Sequence, residues 1–166
     1  DKNELTFQLR EAIESSRPSY IRIGKKGEPD LSKENLSYGI GKANILRKGK
    51  KYLLLGVGPI IGEALKAAEK LEEYGVDLCI ASMGGVAPLD IEFLRKMVSE
   101  KFIHWITLEE HGIVGGLGTS IIEWLCDSKN SRKIELARLG VPKIFINKLG
   151  NQEFTRKQLG LDAEGI

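Results

Sequence analysis

The stretch Tyr52–Ser82, "YLLLGVGPIIGEALKAAEKLEEYGVDLCIAS", decides how the chain folds. "YLLLGVG" is a continuous apolar run, as expected for a strand covered on both faces of a parallel sheet. Ile61, Ala64, Leu65, Ala68 and Leu71 then recur at spacings of three and four. Glu63, Lys66, Lys70 and Glu73 lie elsewhere, so the segment is an amphipathic helix. Gly75 ends it, and "VDLCIAS" is a second apolar strand. Strand, helix and strand within about 30 residues make a β-α-β unit.

The pattern repeats downstream. "PLDIEFLRKMVSE" is a helix with Asp90 as its cap, and "FIHWITL" is a third strand. Thr119–Cys126 is a third helix, "RKIELARLG" a fourth strand, and "NQEFTRKQLG" a short helix capped by Asn151. Alternation of this kind predicts a three-layer αβα, Rossmann-like domain with a mostly parallel sheet.

Upstream the chain reads differently. Leu5, Leu9, Ala12 and Ile13 predict an amphipathic helix ended by Pro18, and "SYIRIG" predicts a short strand. "KKGEPDLSKENLSYGIGKANILRKGKK" is rich in Gly and Lys and reads as a linker with a short hairpin near "GKANIL". One helix and one strand cannot bury an apolar face by themselves. Leu5, Leu9, Ile13, Tyr20 and Ile21 are therefore expected to be covered by another chain or by a displaced part of this one, or to be poorly ordered.

Composition narrows the function classes. The 166 residues suit one domain of ordinary size. The 25 basic residues against 23 acidic ones give too even a balance for a nucleic-acid surface. No apolar run approaches the ~18 residues of a membrane span, and no secretory leader is expected. Cys79 and Cys126 lack metal-type spacing and fall in apolar runs, so both are expected to be reduced core thiols in a cytoplasmic protein. A chain that begins with Asp1 and stops just after "LDAEGI" is expected to be a piece of a longer polypeptide.

Two glycine-rich turns are candidate sites. "GVGPIIG", Gly56 to Gly62, follows a strand and opens a helix, where phosphate-binding loops sit. Its spacing is one residue longer than the dinucleotide fingerprint, Pro59 removes a backbone donor, and no acid ends the second strand. A tight turn is the simpler reading. "EEHGIVGGLGTS", Glu109 to Ser120, combines Glu109, Glu110 and His111 with Gly115, Gly116 and Gly118. The two acids oppose a phosphate at the following helix. Consecutive residues on a strand point to opposite faces and do not converge on a metal. No nucleophile motif accompanies His111. The stretch reads as a structural or interface turn, with glycines for positive φ and close backbone approach, and no catalytic residue is assigned to it.

Beyond this local reading, "GPIIGEALKAAEKLEEYGVDLCI", "APLD", "ITLEEHGIVGGLGTSIIEWL", "RLGVPKIF" and "RKQLGLDAEGI" resemble the C-terminal domain of the transketolase family. That family includes transketolase and 1-deoxy-xylulose-5-phosphate synthase, both thiamine-diphosphate enzymes. The opening "DKNELTFQLREAIESSRPSYIRIGKK" is similar to the last helix and strand of the family's middle, pyrimidine-binding domain. The resemblance implies three parts: residues 1–24 as that domain's tail, 25–50 as a linker, and 51–166 as the C-terminal domain. It implies that thiamine diphosphate and Mg²⁺ belong to regions outside this chain, with none expected on it alone. It also implies a homodimer or an N-terminal transketolase portion as partner. Lys25, and beside it Arg22, match the stretch where family members carry a basic residue for a sugar phosphate. Lysine there would forgo the bidentate contact that arginine makes. Two other readings stay open at this point: a stand-alone nucleotide-binding domain using Gly56 to Gly62, and the C-terminal subunit of a split transketolase.

Overall fold

The computed structural model describes residues 1–24, 27–31, 36–128 and 133–166. Its elements run α1 Lys2–Glu14, β1 Ala43–Arg47, β2 Tyr52–Val57, α2 Ile61–Glu73, β3 Leu78–Met83, α3 Ile91–Ser99, β4 His104–Gly112, α4 Leu117–Asp127, β5 Glu135–Val141 and α5 Gln152–Leu159. Among the described residues the strands form a five-stranded sheet in the order β1-β3-β2-β4-β5. β2 pairs in parallel with both β3 and β4, and β5 is parallel to β4. β1 is antiparallel to β3 and carries a bulge between Ile45 and Arg47.

Covered faces explain the continuous apolar runs. Leu53 and Leu55 join Ala81, Met83, Phe93, Leu94, Met97, Trp105, Leu117 and Ile121 on the face of α3 and α4. Leu54 points the other way, to Ile61, Ala64, Ala68, Ile80, Leu108 and Leu161 on the face of α2. Both rows of β2 are thus buried, which is what an α/β layer requires. Ala64, Ala67 and Ala68 keep α2 close to the sheet, and Gly56 leaves room for Ile61, whose Cδ1 would lie 2.5 Å from a Cβ there. At the far end Gly75 takes φ +74, while Val76 N–H reaches back to the Leu71 carbonyl. Asp90 and Asn151 cap α3 and α5 through the N–H groups of Phe93 and Phe154, as read from sequence.

Three local expectations give way. Residues 18–24 form no strand and join no ladder. The hairpin near "GKANIL" is a single strand, β1, whose partner is distant β3. This strand lies inside the stretch read as linker and belongs to the sheet. Cys126 is exposed on α4, whereas Cys79 is buried and its thiol is pushed up to about 11, chiefly by that burial.

α1 packs on the domain by its polar side. Glu4 accepts from the Ser82 hydroxyl at 3.1 Å, Gln8 donates to the Gly84 carbonyl, and Glu11 accepts from Ile40 N–H. Phe7 stacks on Tyr38. The apolar stripe faces away, with Leu9 and Ile13 exposed and no α1 residue fully buried. Burial raises the Glu4 carboxyl above its ordinary value, against the lowering effects of the Ser82 bond and the terminal amine. The docked state therefore holds the Glu4 proton more tightly than the undocked chain. Its contribution favours docking below the ordinary carboxylate value of 4.5 and is lost as pH rises through the raised one. Amide exchange in α1, corrected for intrinsic rates, should show stronger protection at about pH 5 than at about pH 7. Glu4→Gln should remove that difference; if the variant keeps it, Glu4 is not the responsible group.

Candidate functional site

In an open α/β sheet ligands bind at the carboxyl ends of the strands, where the strand order reverses. Here that crevice lies between the ends of β2 and β4. Two helix N-termini face it, those of α2 and α4.

At α2 the backbone donors are already taken. Ile61 N–H bonds the Gly58 carbonyl, Gly62 N–H the Pro59 carbonyl, and Glu63 N–H the Ile60 carbonyl. Gly58 adopts φ +82, which makes the tight turn possible. Gly56 and Gly58 are thus accounted for by packing and turn geometry, without a phosphate.

At α4 the chain supplies its own anion. The Glu109 side chain is 1% exposed and accepts from Leu117 N–H at 2.8 Å and Gly118 N–H at 2.9 Å. A carboxylate on the first turn satisfies two orphan donors and complements the helix dipole. Gly116 and Gly118 allow this approach: a Cβ on Gly116 would lie 1.8 Å from Glu109 Oε2, and one on Gly118 2.8 Å from Thr107 Oγ1. Of the three glycines singled out, Gly115 takes positive φ, at +79. Thr107 is fully buried, with no hydrogen-bond partner for its hydroxyl.

The neighbouring acid points elsewhere. Glu110 receives a two-pronged bond from Arg156, at 3.0 Å from Nε and 2.8 Å from Nη2, and a further one from Gln152. Arg156 is buried on α5, and Glu63 of α2 lies 3.8 Å from it. Burial alone would lower the Arg156 guanidinium. The Glu110 hydrogen bond and the charges of Glu110, Glu63 and Glu28 outweigh that and hold it above its ordinary value. Glu63 also accepts from Ala163 N–H and pairs with Lys66, and Lys70 pairs with Glu164, so the chain end is tied to α2. No sequence signal marked Arg156: its partners lie 46 and 93 positions away.

His111 is half exposed, and its Nδ1 donates to the adjacent Gly112 carbonyl at 2.9 Å. Glu110 therefore points away from the other two, whereas His111 Nδ1 lies 4.0 Å from Glu109 Oε2. Among the described residues no cluster of His, Cys, Asp or Glu has metal-holding geometry. Arg22 reaches the same end of β4, donating to the Glu110 carbonyl at 3.0 Å. Lys25 lies outside the described residues.

Fold and site together define a three-layer α/β domain in which the helix start at the crevice is capped by the chain's own carboxylate. Comparison makes the assignment specific. Residues 41–166 match the family model for the transketolase C-terminal domain. The 1-deoxy-D-xylulose-5-phosphate synthase of Vibrio campbellii is 35% identical over 168 residues, covering all of this chain and 26% of that protein. A putative transketolase C-terminal section from Methanocaldococcus jannaschii is 31% identical over 160 residues, covering 95% of this chain and 48% of that protein. The solved structure of a split-gene transketolase, as an inactive β4 tetramer, superposes with a TM-score of 0.83 at 27% identity. That match covers 95% of this chain and 50% of the other. The chain belongs to the transketolase C-terminal domain family. It spans about a quarter of the length of the synthases it matches.

Proposed function

We propose that this chain is the C-terminal portion of a thiamine-diphosphate-dependent, transketolase-like transferase of the cytoplasm, and that it shapes and joins the assembly without holding the reaction centre. The observation that carries this reading is the Glu109 carboxylate seated on the N–H groups of Leu117 and Gly118. Beside it Arg156 is engaged by Glu110, so the α4 helix start and its neighbouring cation are satisfied from within the chain. The residues here do not fit thiamine diphosphate or its Mg²⁺, so no step of the reaction is assigned to them. When bound in the complete enzyme, the cofactor supplies two-carbon ketol transfer between sugar phosphates.

Residues 1–24 close a preceding pyrimidine-binding domain, and 25–50 connect it to the 51–166 domain, with β1 drawn into the latter's sheet. Arg22 is the described residue closest to a substrate role. Its guanidinium is exposed and fixed on one side by the Glu110 carbonyl, leaving its other donors for a sugar phosphate. The solved split-gene relative favours a second reading, in which this is a separately encoded C-terminal subunit. The turn geometry at Gly56–Gly62 supports neither a dinucleotide nor a mononucleotide there.

Calorimetry of the chain with thiamine diphosphate and Mg²⁺ should give no micromolar binding. Binding should appear when the chain is combined with the preceding portion of the enzyme. Micromolar affinity from this polypeptide alone would overturn the assignment.

A further inference from the structure

The end of β4 departs from its ladder at the place where Arg22 touches it. Leu108 faces Leu139 and Gly112 faces Val141, so Glu109, Glu110 and His111 stand against Gly140 alone. A bulge of this kind turns the strand and re-aims the groups on it. A Cβ on Gly140 would lie 3.0 Å from the His111 carbonyl oxygen and 3.1 Å from Glu109 Cγ, so the bulge closes against a residue without a side chain. At its middle, Glu110 meets two arginines in two different ways. Its carbonyl accepts from Arg22 Nη1 at 3.0 Å, while its carboxylate takes both prongs of Arg156 and the Gln152 amide. Arg22 is exposed, whereas Arg156 is buried.

We infer that Arg156 is a positioning residue for the phosphate contact of Arg22: it keeps the Glu110 carboxylate engaged, so that Arg22 meets only the neutral carbonyl of that residue. The inference rests on the reading of Arg22 given above and adds what keeps that side chain available. An arginine paired with a carboxylate is a poor phosphate ligand, because both anions use the same planar fork. Glu110 is the residue that holds Arg22, so its carboxylate, once released, lies within a rotamer change of that guanidinium. The bond to Arg156 removes this competitor in two ways. Two parallel N–H donors fix both oxygens, and the cation offsets their charge at close range. Glu63 on α2, 3.8 Å from Arg156 Nη1, adds a second anion to hold the guanidinium. The Glu110 carbonyl, by contrast, uses one N–H of Arg22 and leaves its other donors, and its whole charge, for an anion.

Steady-state kinetics of the enzyme assembled from this chain and its preceding portion test this, at a temperature where circular dichroism shows every variant folded. The probe is glyceraldehyde 3-phosphate, with glyceraldehyde as its phosphate-free counterpart. Arg22→Ala should raise KM for the phosphorylated acceptor by about tenfold or more. Arg156→Met should raise the same KM about tenfold, with kcat held within about twofold and glyceraldehyde kinetics unmoved. Adding Glu110→Gln should return KM to within about threefold of the unmodified enzyme, because no carboxylate remains to capture Arg22. Arg156→Lys keeps a cation but not the two-pronged bond, and should show the same split at about threefold. Equal losses on both acceptors would mark a purely structural role and overturn the inference, as would a KM that Glu110→Gln does not restore. If Arg22→Ala raises KM and the Arg156 variants do not, the positioning role alone falls. If Arg22→Ala changes nothing, the phosphate role of Arg22 falls and takes the inference with it.

Discussion

Glu109→Ala should destabilise the domain by about 3–5 kcal/mol and lower Tm on the order of 10 °C. The side chain accepts two backbone N–H groups in a site closed to solvent. Its removal leaves both donors unpaired at a helix start and takes away the charge that complements the dipole. Glu109→Gln keeps the shape but only one accepting oxygen, so it should lie near the midpoint. Gly116→Ala should fail in the same way, since its Cβ would displace the carboxylate. The double variant should then lose much less than the sum of the two. Thermal and urea unfolding measure all four. A loss below about 1 kcal/mol for Glu109→Ala would show that the helix end does not depend on this group.

Arg156→Ala should cost about 2–4 kcal/mol, because Glu110 loses its two-pronged cationic partner in a poorly solvated position. The figure is set below that for a fully buried pair because Glu110 keeps some solvent contact. Arg156→Lys should recover little: an ammonium cannot bridge both Glu110 oxygens as Nε and Nη2 do. Pairing Arg156→Met with Glu110→Gln should restore part of the loss by removing both charges. Unfolding curves give the energies, and limited proteolysis gives the location, since α5 should become the first cleavage site. Unchanged proteolysis would mean that α5 is held by its other contacts.

Much of the layer was legible in the chain because burial on both faces leaves no room for polar residues. "YLLLGVG" and "LCIAS" could hardly be anything but central strands, and α2 shows its inward row plainly. The caps at Asp90 and Asn151 were readable because capping is chemistry between near neighbours. β1 was hidden because an antiparallel strand at the margin tolerates Asn44 and Arg47, and its partner lies some 33–40 positions on. "SYIRIG" has the composition of a strand, yet composition cannot supply the neighbour that a ladder needs. At the crevice, the repulsion between Glu109 and an incoming phosphate was visible in the sequence. That the carboxylate would itself take the phosphate's position was not, since this depends on where β4 ends relative to α4. Arg156 was invisible for the same reason: its partners come from other elements.

α1 has a consequence of its own. Hydrogen bonds to Ser82, Gly84 and Ile40 specify where the helix sits, but they add little adhesive strength in water. Leu9 and Ile13 lie bare on the outer side. Such a helix works as an adapter, keyed to one body and glued to another, and its order should follow whether the second body is present.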